Sequence, residues 1–385
     1  MSKVTSIPQL RFPEFSGEWK EKKLSDVAEI VGGGTPPTAV EKYWGGDIQW
    51  FTPTEIKNKY IVNSKRTITQ VGLDTSSARL LPKGTLLFSS RATVGEIGIA
   101  VQECTTNQGF QSFIVNKDND SEFLYNWIIK NKKEFIRRAS GSTFLEIGKS
   151  EIKKIKSNIP LLSEQQKIAA FLTAVDNKIE QLSKKQALLG EYKKGLMQQI
   201  FSQAIRFKAD DGGDYPDWEE LKLGEVARFR RGSFPQPYGN PEWYDDEDGK
   251  PFVQVYDVAG NMRLKSTTKR KISVLAQSSS VFVPKGNVVL TIQGSIGRIA
   301  LTQYDAYVDR TLLIFTGYIK EVNKQFFIYV IYLLFEIEKI KAPGGTIKTI
   351  TKEALTSFKL DLPCFDEQTK IANFLSSIDN KIEQV

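Results

Sequence analysis

The stretch PLLSEQQKIAAFLTAVDNKIEQL, residues 160–182, returns at the other end of the chain as PCFDEQTKIANFLSSIDNKIEQV, residues 363–385. Aligned without gaps at an offset of 203 residues, 14 of the 23 positions are identical. Similarity this dense between two segments of one chain indicates a tandem duplication. Any function of the chain must therefore explain why it carries two copies of this segment.

The duplication extends over most of the chain. WKEKKLSDVAEI at residues 19–30 matches WEELKLGEVARF at 218–229. GSTFLEIGKSEIKK, beginning at residue 141, matches GGTIKTITKEALTS, beginning at residue 344. The chain is predicted to hold two similar units that share one plan, and each unit is followed by the repeated segment.

Each unit is predicted to be a mixed α/β globule. Short runs rich in Val, Leu, Ile and Phe at 85–90 and 287–293 have the length of strands, and helices are predicted at 122–138 and 323–341. Glycine and proline near the start of each unit predict exposed loops. The predicted domains are a first globule at 1–160, a central helix at 161–205, a second globule at 206–362 and a C-terminal helix at 363–385.

The repeated segment predicts a long helix with a heptad seam. Ser163 is a suitable N-cap with Gln166 three residues later, and Asp366 replaces Ser163 in the second copy. Apolar residues then recur at alternating steps of four and three, except where Gln186 and Lys193 fall on the seam. The seam residues are Ile168, Leu172, Val175, Ile179, Leu182, Leu189 and Leu196 in the first helix and Ile371, Leu375, Ile378 and Ile382 in the second.

A half-apolar helix of about 60 Å needs a partner, and its nearest candidate is its own copy in the same chain. Because a globular unit separates the two helices and returns the chain, the sequence favours an intramolecular antiparallel coiled coil. The fold class expected is thus a tandem α/β repeat with two long helices and a pseudo-twofold plan. The alternative is two independent core helices, each packed on its own unit.

Composition restricts the classes of function. A formal net charge of +8 and a pI near 9.1 fit a nucleic-acid partner, although they also occur in basic proteins without one. The two cysteines, Cys104 and Cys364, occupy non-matching positions, so neither a disulfide framework nor a zinc site is expected. The longest apolar run, residues 326–335, is too short for a membrane span. A cytoplasmic protein without a membrane partner is predicted.

No catalytic centre is evident in the sequence. Histidine is absent, which excludes histidine bases, nucleophile pairs that rely on histidine, and histidine metal ligands. Gly148, Lys149 and Ser150 resemble the end of a phosphate-binding loop, but its first glycine is replaced by Thr143. The chain is therefore predicted to be a binder with two recognition modules and no metal or cofactor of its own.

This order of segments resembles the specificity subunit of type I DNA restriction-modification systems. The resemblance is carried by the two Trp-initiated openings, the turns LPKG at 81–84 and VPKG at 283–286, and above all the two copies of Pro-x-x-x-Glu-Gln-x-x-Ile-Ala-x-Phe-Leu. It covers essentially the full chain. The second copy of the helix stops at Val385, so the C-terminal half of the first helix has no repeated counterpart. How well the coiled coil closes over that half is left open by the sequence.

The resemblance implies a bacterial or archaeal subunit that binds double-stranded DNA and is not itself an enzyme. Each globule would read one half of a bipartite sequence, and the helices would fix the spacing and dock two modification (methyltransferase) subunits. S-adenosylmethionine would belong to those subunits, and ATP and Mg to restriction/translocase subunits. The remaining alternatives are a coiled-coil scaffold that does not bind DNA and a single-chain DNA methyltransferase or nuclease.

DNA-contacting residues are expected among polar and basic side chains on loops, because amide, hydroxyl and guanidinium groups read base edges while lysine and arginine bind phosphates. The candidates for bases in the first unit are Thr35, Ser89, Ser90, Arg91, Gln108 and Thr143, and those for phosphates are Lys57, Arg66 and Arg79. In the second unit they are Arg230, Arg231, Gln293, Ser295, Arg310, Thr346 and Lys348 for bases, with Lys269, Arg270 and Lys271 for phosphates.

Overall fold

A computed structural model describes residues 7–141, 145–341 and 350–385. The chain divides into two compact units, Met1–Glu180 and Gln181–Val385. Each unit has its own apolar core, as the duplication predicts. The four predicted domain boundaries remain a prediction.

The first unit is built on short strands and one helical face. Its strands are β1 (Lys20–Lys23), β2 (Ala28–Gly32), β3 (Trp44–Phe51), β4 (Tyr60–Ile61), β5 (Arg66–Ile68), β6 (Leu86–Phe88), β7 (Ile97–Ala100), β8 (Cys104–Thr106), β9 (Gln111–Val115) and β10 (Lys156–Ile159). Its helices are α1 (Leu24–Val27), α2 (Gln70–Asp74), α3 (Ser121–Lys130), α4 (Lys132–Arg138) and α5 (Lys149–Lys154). The long helix α6 (Leu162–Phe201) begins in this unit and ends in the second.

Three sheets organise this unit. The main sheet has the order β2-β9-β6-β7-β4, and a smaller sheet has the order β5-β3-β8 with β3 and β8 parallel. The first and last strands, β1 and β10, form an antiparallel ladder in which Lys20 pairs with Ile159. Phe88 and Phe113 of the main sheet and Phe135 of α4 are fully buried, and they join sheet and helices into one core.

The second unit repeats this plan. Its strands are β11 (Glu219–Lys222), β12 (Ala227–Arg231), β13 (Lys250–Val253), β14 (Arg270–Ile272), β15 (Val281–Val283), β16 (Val288–Thr291), β17 (Ile299–Leu301), β18 (Ala306–Val308), β19 (Leu312–Tyr318) and β20 (Lys359–Leu362). Its helices are α7 (Leu223–Val226), α8 (Val274–Gln277), α9 (Lys324–Lys341), α10 (Lys352–Thr356) and α11 (Phe365–Glu383). The sheets have the orders β12-β19-β16-β17, β14-β13-β18-β15 and β11-β20.

The predicted helix at 122–138 is interrupted. Asn131 lies between α3 and α4, and its side-chain amide donates to the backbone carbonyl of Trp127 at 2.8 Å. Asparagine lowers helix continuity because its side chain competes for backbone groups. The prediction of one continuous helix at 122–138 missed this break.

The predicted N-caps Ser163 and Asp366 are each wrong by two residues. Helix α6 begins at Leu162, before Ser163, and α11 begins at Phe365 with Cys364 as its N-cap. The first turns are held differently from a capping box. The amide of Gln165 donates to the carbonyl of Pro160 at 2.9 Å, and Gln368 repeats this bond with the carbonyl of Pro363.

A buried ion pair at the start of α6 ties the N-terminal arm to the helix. The carboxylate of Glu164 accepts two hydrogen bonds of 2.7 Å from Arg11 and one of 3.2 Å from the indole N–H of Trp19. The bond to Glu164 raises the pKa of the Arg11 guanidinium. Phe12, next in sequence, meets Phe171 of α6 edge to face at 5.7 Å.

The second unit carries the same arrangement at the start of α11. Glu367 is fully buried and accepts from Arg206 at 2.9 Å and from the indole of Trp218 at 3.0 Å. Phe207 then meets Phe374 at 5.4 Å. We call each set of Arg, Trp and Glu a latch: Arg11, Trp19 and Glu164 in the first unit and Arg206, Trp218 and Glu367 in the second.

Within the second unit, the end of α6 and helix α11 run antiparallel, as the sequence predicted. Ile200 lies in one core cluster with Ile371 and Leu375, while Lys193, two turns earlier, contacts Asp379 further along α11 at 2.5 Å. The predicted seam residues are not equally covered. Ile371, Leu375 and Ile378 are buried, Ile168, Leu172, Leu182, Leu189, Leu196 and Ile382 are half-buried, and Val175 and Ile179 are exposed.

Candidate nucleic-acid interface

Four loops meet at one end of the sheets in the first unit. They are residues 33–37 after β2, the 3-10 turn Pro53–Glu55 after β3, residues 89–96 between β6 and β7, and residues 107–110 between β8 and β9. Backbone hydrogen bonds connect them. The N–H of Gly34 donates to Thr106 at 2.8 Å, and that of Ser90 donates to Gly109 at 2.9 Å.

The loops after β2 and β8 pack unusually closely. A Cβ atom on Gly33 would lie 2.0 Å from the carbonyl oxygen of Asn107, so only glycine fits there. Asn107 in turn donates its backbone N–H to Phe51 at the end of β3, at 3.0 Å. The tip of the 107–110 loop is therefore held on two sides by backbone contacts.

The structure brings two predicted base readers together. The Thr35 hydroxyl donates to the side-chain carbonyl of Gln108 at 2.5 Å, although the two residues are 73 positions apart. Gln108 is exposed and Thr35 is half-buried. Their contact fixes the orientation of the Gln108 amide at the rim of the loops.

Ser89 and Ser90 are corrections to the predicted site. Both are fully buried, and the Ser90 hydroxyl donates to the carbonyl of Gly109 at 3.1 Å. Their hydroxyls hold the loops from inside and face no solvent. Arg91, the next residue, is exposed and lies 3.7 Å from the carboxylate of Glu146.

The cations proposed for phosphate contacts in the first unit are all exposed. Arg66 stacks its guanidinium 3.5 Å from the ring centre of Trp44, which fixes its direction. Lys57 follows the 3-10 turn after β3, and Arg79 lies one residue beyond Ala78, whose backbone packs on Gly34. These charges therefore border two of the loops, residues 33–37 and Pro53–Glu55.

The second unit places equivalent loops at the equivalent sheet ends. The N–H of Ser233 donates to Val308 at 3.1 Å, and that of Asp309 donates to Val253 at 3.0 Å, as Gly34 and Asn107 do in the first unit. Gly232 repeats the close approach, since a Cβ there would lie 2.2 Å from the carbonyl of Val308. The loop scaffold is thus duplicated bond for bond.

The side chains on this second scaffold are different and largely aromatic. Gln254 donates to the Tyr238 hydroxyl and accepts from that of Tyr256. Burial raises the pKa of Tyr256 to about 12, with Asp257 adding to it, and burial also raises the pKa of Tyr238. Both phenols are therefore neutral near pH 7 and keep their protons for hydrogen bonding.

Basic residues surround this aromatic group. The guanidinium of Arg310 lies 5.8 Å from the ring centre of Tyr238, and the amine of Lys269 lies 5.1 Å from that of Tyr256. Arg270 stacks on Tyr244 at 3.8 Å. Cations held over tyrosine rings keep defined positions at low cost.

The other predicted residues of the second unit have varied positions. Arg230 and Arg231 are exposed at the end of β12, and Gln293 and Ser295 are exposed in the loop after β16. Lys271 is half-buried and donates to the carbonyl of Glu247 at 2.5 Å. Three further predicted base readers lie outside the residues that the structure describes: Thr143, Thr346 and Lys348.

The residue-by-residue predictions did not include Asn107 or Gln254. The duplication carried the signal. Asn107 directly follows β8 as Asp309 follows β18, and Gln254 directly follows β13 as Thr52 follows β3. Aligning the strand ends of the two units would have shown the loops as one constellation.

Among residues 7–141, 145–341 and 350–385, no three cysteine, aspartate or glutamate side chains are grouped so that they could hold a metal ion. In the same part of the chain no helix has the length and apolar character that crossing a membrane requires.

Comparison with known proteins shows which family has this architecture. The family described as "Type I restriction modification DNA specificity domain" matches twice, at residues 16–189 and 215–384. The type I restriction enzyme MjaIX specificity subunit of Methanocaldococcus jannaschii is 32% identical over 347 residues, 83% of this chain and 77% of the relative. The putative MjaX specificity subunit of the same organism is 26% identical, covering 99% and 91%.

Solved structures agree on the fold. The S subunit of a type I restriction-modification system from M. genitalium superposes with a TM-score of 0.62 at 15% identity, covering 99% of this chain and 94% of that one. A structure from a study of complex assembly in the type I R-M system gives 0.56 at 18% identity, covering 98% and 93%. With two family domains, matching relatives and the duplicated loop scaffold, the chain belongs to the DNA specificity subunits of type I restriction-modification systems.

Proposed function

We propose that this subunit reads its DNA target in two parts, one through the loop end of each unit. The observation that supports this proposal is that the two units share the same loop backbone but carry different side chains on it. The loops of both units are held by the same backbone bonds, yet Thr35 and Gln108 face the rim of one unit where Phe234 and Arg310 stand in the other. A repeated scaffold with different polar groups suits two different half-sites.

Phosphate contacts would come from the exposed cations that border the loops. Lys57 and Arg79 in the first unit and Lys269 in the second are exposed, and the whole chain carries a formal charge of +8. Such contacts position a protein on DNA without reading its sequence. The domains of this proposal are the predicted globules 1–160 and 206–362, joined by the helices at 161–205 and 363–385.

As a specificity subunit of a multisubunit complex, the chain recognises DNA and leaves catalysis to its partners, which excludes a single-chain methyltransferase or nuclease. We propose two modification subunits, which bring S-adenosylmethionine, and restriction subunits, which use ATP and Mg, in the cytoplasm. The middle of α6 supports the docking role, because Val175, Ile179, Leu188 and Tyr192 are exposed there. Exposed apolar side chains at helical spacing are typical of partner interfaces.

Methylation mapping tests the two-part target. Genomic DNA from cells that carry this chain with its modification subunits should show modified sites whose two short motifs are separated by a constant gap. Exchanging residues 1–160 for those of a relative should change one motif only. A single continuous motif, or a change in both motifs, would contradict the proposal.

The dependence of binding on salt concentration distinguishes a DNA-reading subunit from a helical scaffold that does not bind DNA. Binding through several phosphates weakens steeply with salt, with a slope of about −0.9 per contact in a log–log plot. The variants Lys57→Gln and Lys269→Gln should each make that slope about one contact shallower. Binding to the modification subunits through α6 should respond little to the same change in salt.

A further inference from the structure

We infer that the residue at the tip of the loop after β8, and its counterpart after β18, determines one base in each half-site. Gln108 in the first unit is suited to adenine, and Arg310 in the second unit is suited to guanine. This inference rests on the proposed two-part function and names the bases that two of its residues read.

The two residues occupy equivalent positions. Asn107 and Asp309 each donate their backbone N–H to the last residue of the neighbouring parallel strand, at 3.0 Å in both units. Gln108 and Arg310 follow directly, and both are exposed. One position on a repeated scaffold therefore carries an amide in one unit and a guanidinium in the other.

The contacts of Gln108 prepare it for a two-bond partner. One lone pair of its side-chain oxygen accepts the Thr35 hydroxyl at 2.5 Å, which leaves the second lone pair and the side-chain N–H₂ group for a ligand. Glutamine pairs with adenine by donating to N7 and accepting from the N6 amino group. The hydroxyl of Thr35 thus positions the amide for this pairing.

Arg310 is prepared differently. Phe234 stands in the place of Thr35 and is buried among aromatic rings, while Tyr238 supports the guanidinium from one face at 5.8 Å. No carboxylate in the described part of the chain lies within ion-pair distance of Arg310. Its donors are therefore available for O6 and N7 of guanine, the usual two-bond partner of arginine.

Neighbouring candidate side chains already have partners within the protein. Arg270 stacks on Tyr244 and contacts the carboxylate of Asp246 at 3.3 Å, and Lys271 is bound to a carbonyl. In the first unit, Arg91 contacts Glu146. Gln108 and Arg310 combine exposure, a held orientation and free hydrogen-bonding groups, which base reading requires.

The test exchanges the two side chains in the full-length subunit, assembled with its modification subunits. Gln108→Arg should change one position of the first motif from adenine to guanine and leave the gap and the second motif unchanged. Arg310→Gln should make the reverse change in the second motif. Binding of each variant to a duplex with the original site should fall roughly five- to hundred-fold, the range for losing one two-bond pair.

Matched controls carry the same change of charge away from the loops. Gln70→Arg in α2 and Arg228→Gln at the far end of β12 alter exposed residues and should leave both motifs as they are. Thermal unfolding of each variant checks that it is folded. Where methylation is too weak to map, the purified complex selects from duplexes with one randomised half-site, and the enriched base gives the same answer.

The outcomes are distinct. A two-part wild-type motif that stays the same in Gln108→Arg and Arg310→Gln overturns the base assignment and leaves the proposed function standing. A selection that enriches no new base at any position does the same. A wild-type complex without a two-part motif overturns the proposed function and the assignment together.

Discussion

Glu367 shows how much depends on one buried carboxylate at the start of α11. Its partner Arg206 keeps about a quarter of its side chain exposed, while Glu367 itself has 0% exposure. Removing one member of a buried pair leaves the other without compensation. We expect Glu367→Gln to lower the free energy of unfolding by about 2–3 kcal/mol, below the full cost of a completely buried pair because Arg206 is partly exposed.

Urea unfolding of the intact chain measures this change. Glu164→Gln in the first latch should have an effect of similar size on the transition of its own unit. The matched control is Glu220→Gln, which removes an ion pair to Lys359 that is mostly exposed on both sides and should have a clearly smaller effect on the free energy of unfolding. Equal effects of Glu367→Gln and Glu220→Gln would show that the latch is not a stabilising feature.

Single residues were the hardest part to predict. The repeated Arg-Phe of the arm is visible in the sequence, but its contact with Glu164, 153 residues away, is a product of tertiary structure. Ser89 and Ser90 have the composition of loop readers, and only burial distinguishes them from Gln108. Side-chain direction at the end of a strand depends on the neighbouring loops, which local sequence does not specify.

Elements were more predictable because their apolar periodicity reflects burial directly. The heptad pattern predicted the antiparallel course of α11 and a central helix at 161–205, whose start lies one residue before that of α6 and whose end lies four residues beyond it. It could not explain Lys193 on the seam. The structure does: the Lys193 amine contacts Asp379 at 2.5 Å and lies 4.8 Å from the ring centre of Tyr329, whose hydroxyl also donates to Asp379.

A polar group on an apolar seam usually sets the register of the helices. We therefore expect a double-mutant cycle of Lys193→Met and Asp379→Asn to give a coupling energy of about 1–3 kcal/mol. Unfolding of the four proteins in urea provides the measurement. Lys194→Met, at the exposed neighbouring position, is the control and should show coupling to Asp379 below about 0.5 kcal/mol. Absence of coupling at Lys193 would assign the seam's register to apolar contacts alone.

At the scale of the whole molecule, α6 is the one element that begins in the first unit and ends in the second. Inserting seven residues after Leu182 lengthens a helix by about 10.5 Å, which is roughly three base pairs of DNA. We expect the gap between the two motifs to grow by about three base pairs, or binding to be lost, while the motifs themselves stay the same.

Methylation mapping reads out this insertion. Gly190→Ala is the control, since a Cβ at Gly190 meets open space and alanine favours a helix by up to about 1 kcal/mol. That variant should keep the original gap. An unchanged gap after the insertion would show that the length of α6 does not set the spacing between the two motifs.

The ladders β1–β10 and β11–β20 have a consequence for how such a protein can change over generations. Lys20 lies opposite Ile159 and Glu219 lies opposite Leu362. The strand that enters each globule and the strand that leaves it are therefore neighbours. The segment between the two paired strands begins and ends at the same place, so its whole sequence can be replaced without altering the path of the helices. Genetic exchange between the similar helix starts would then give new combinations of units in one step, each joined to a helix that already fits.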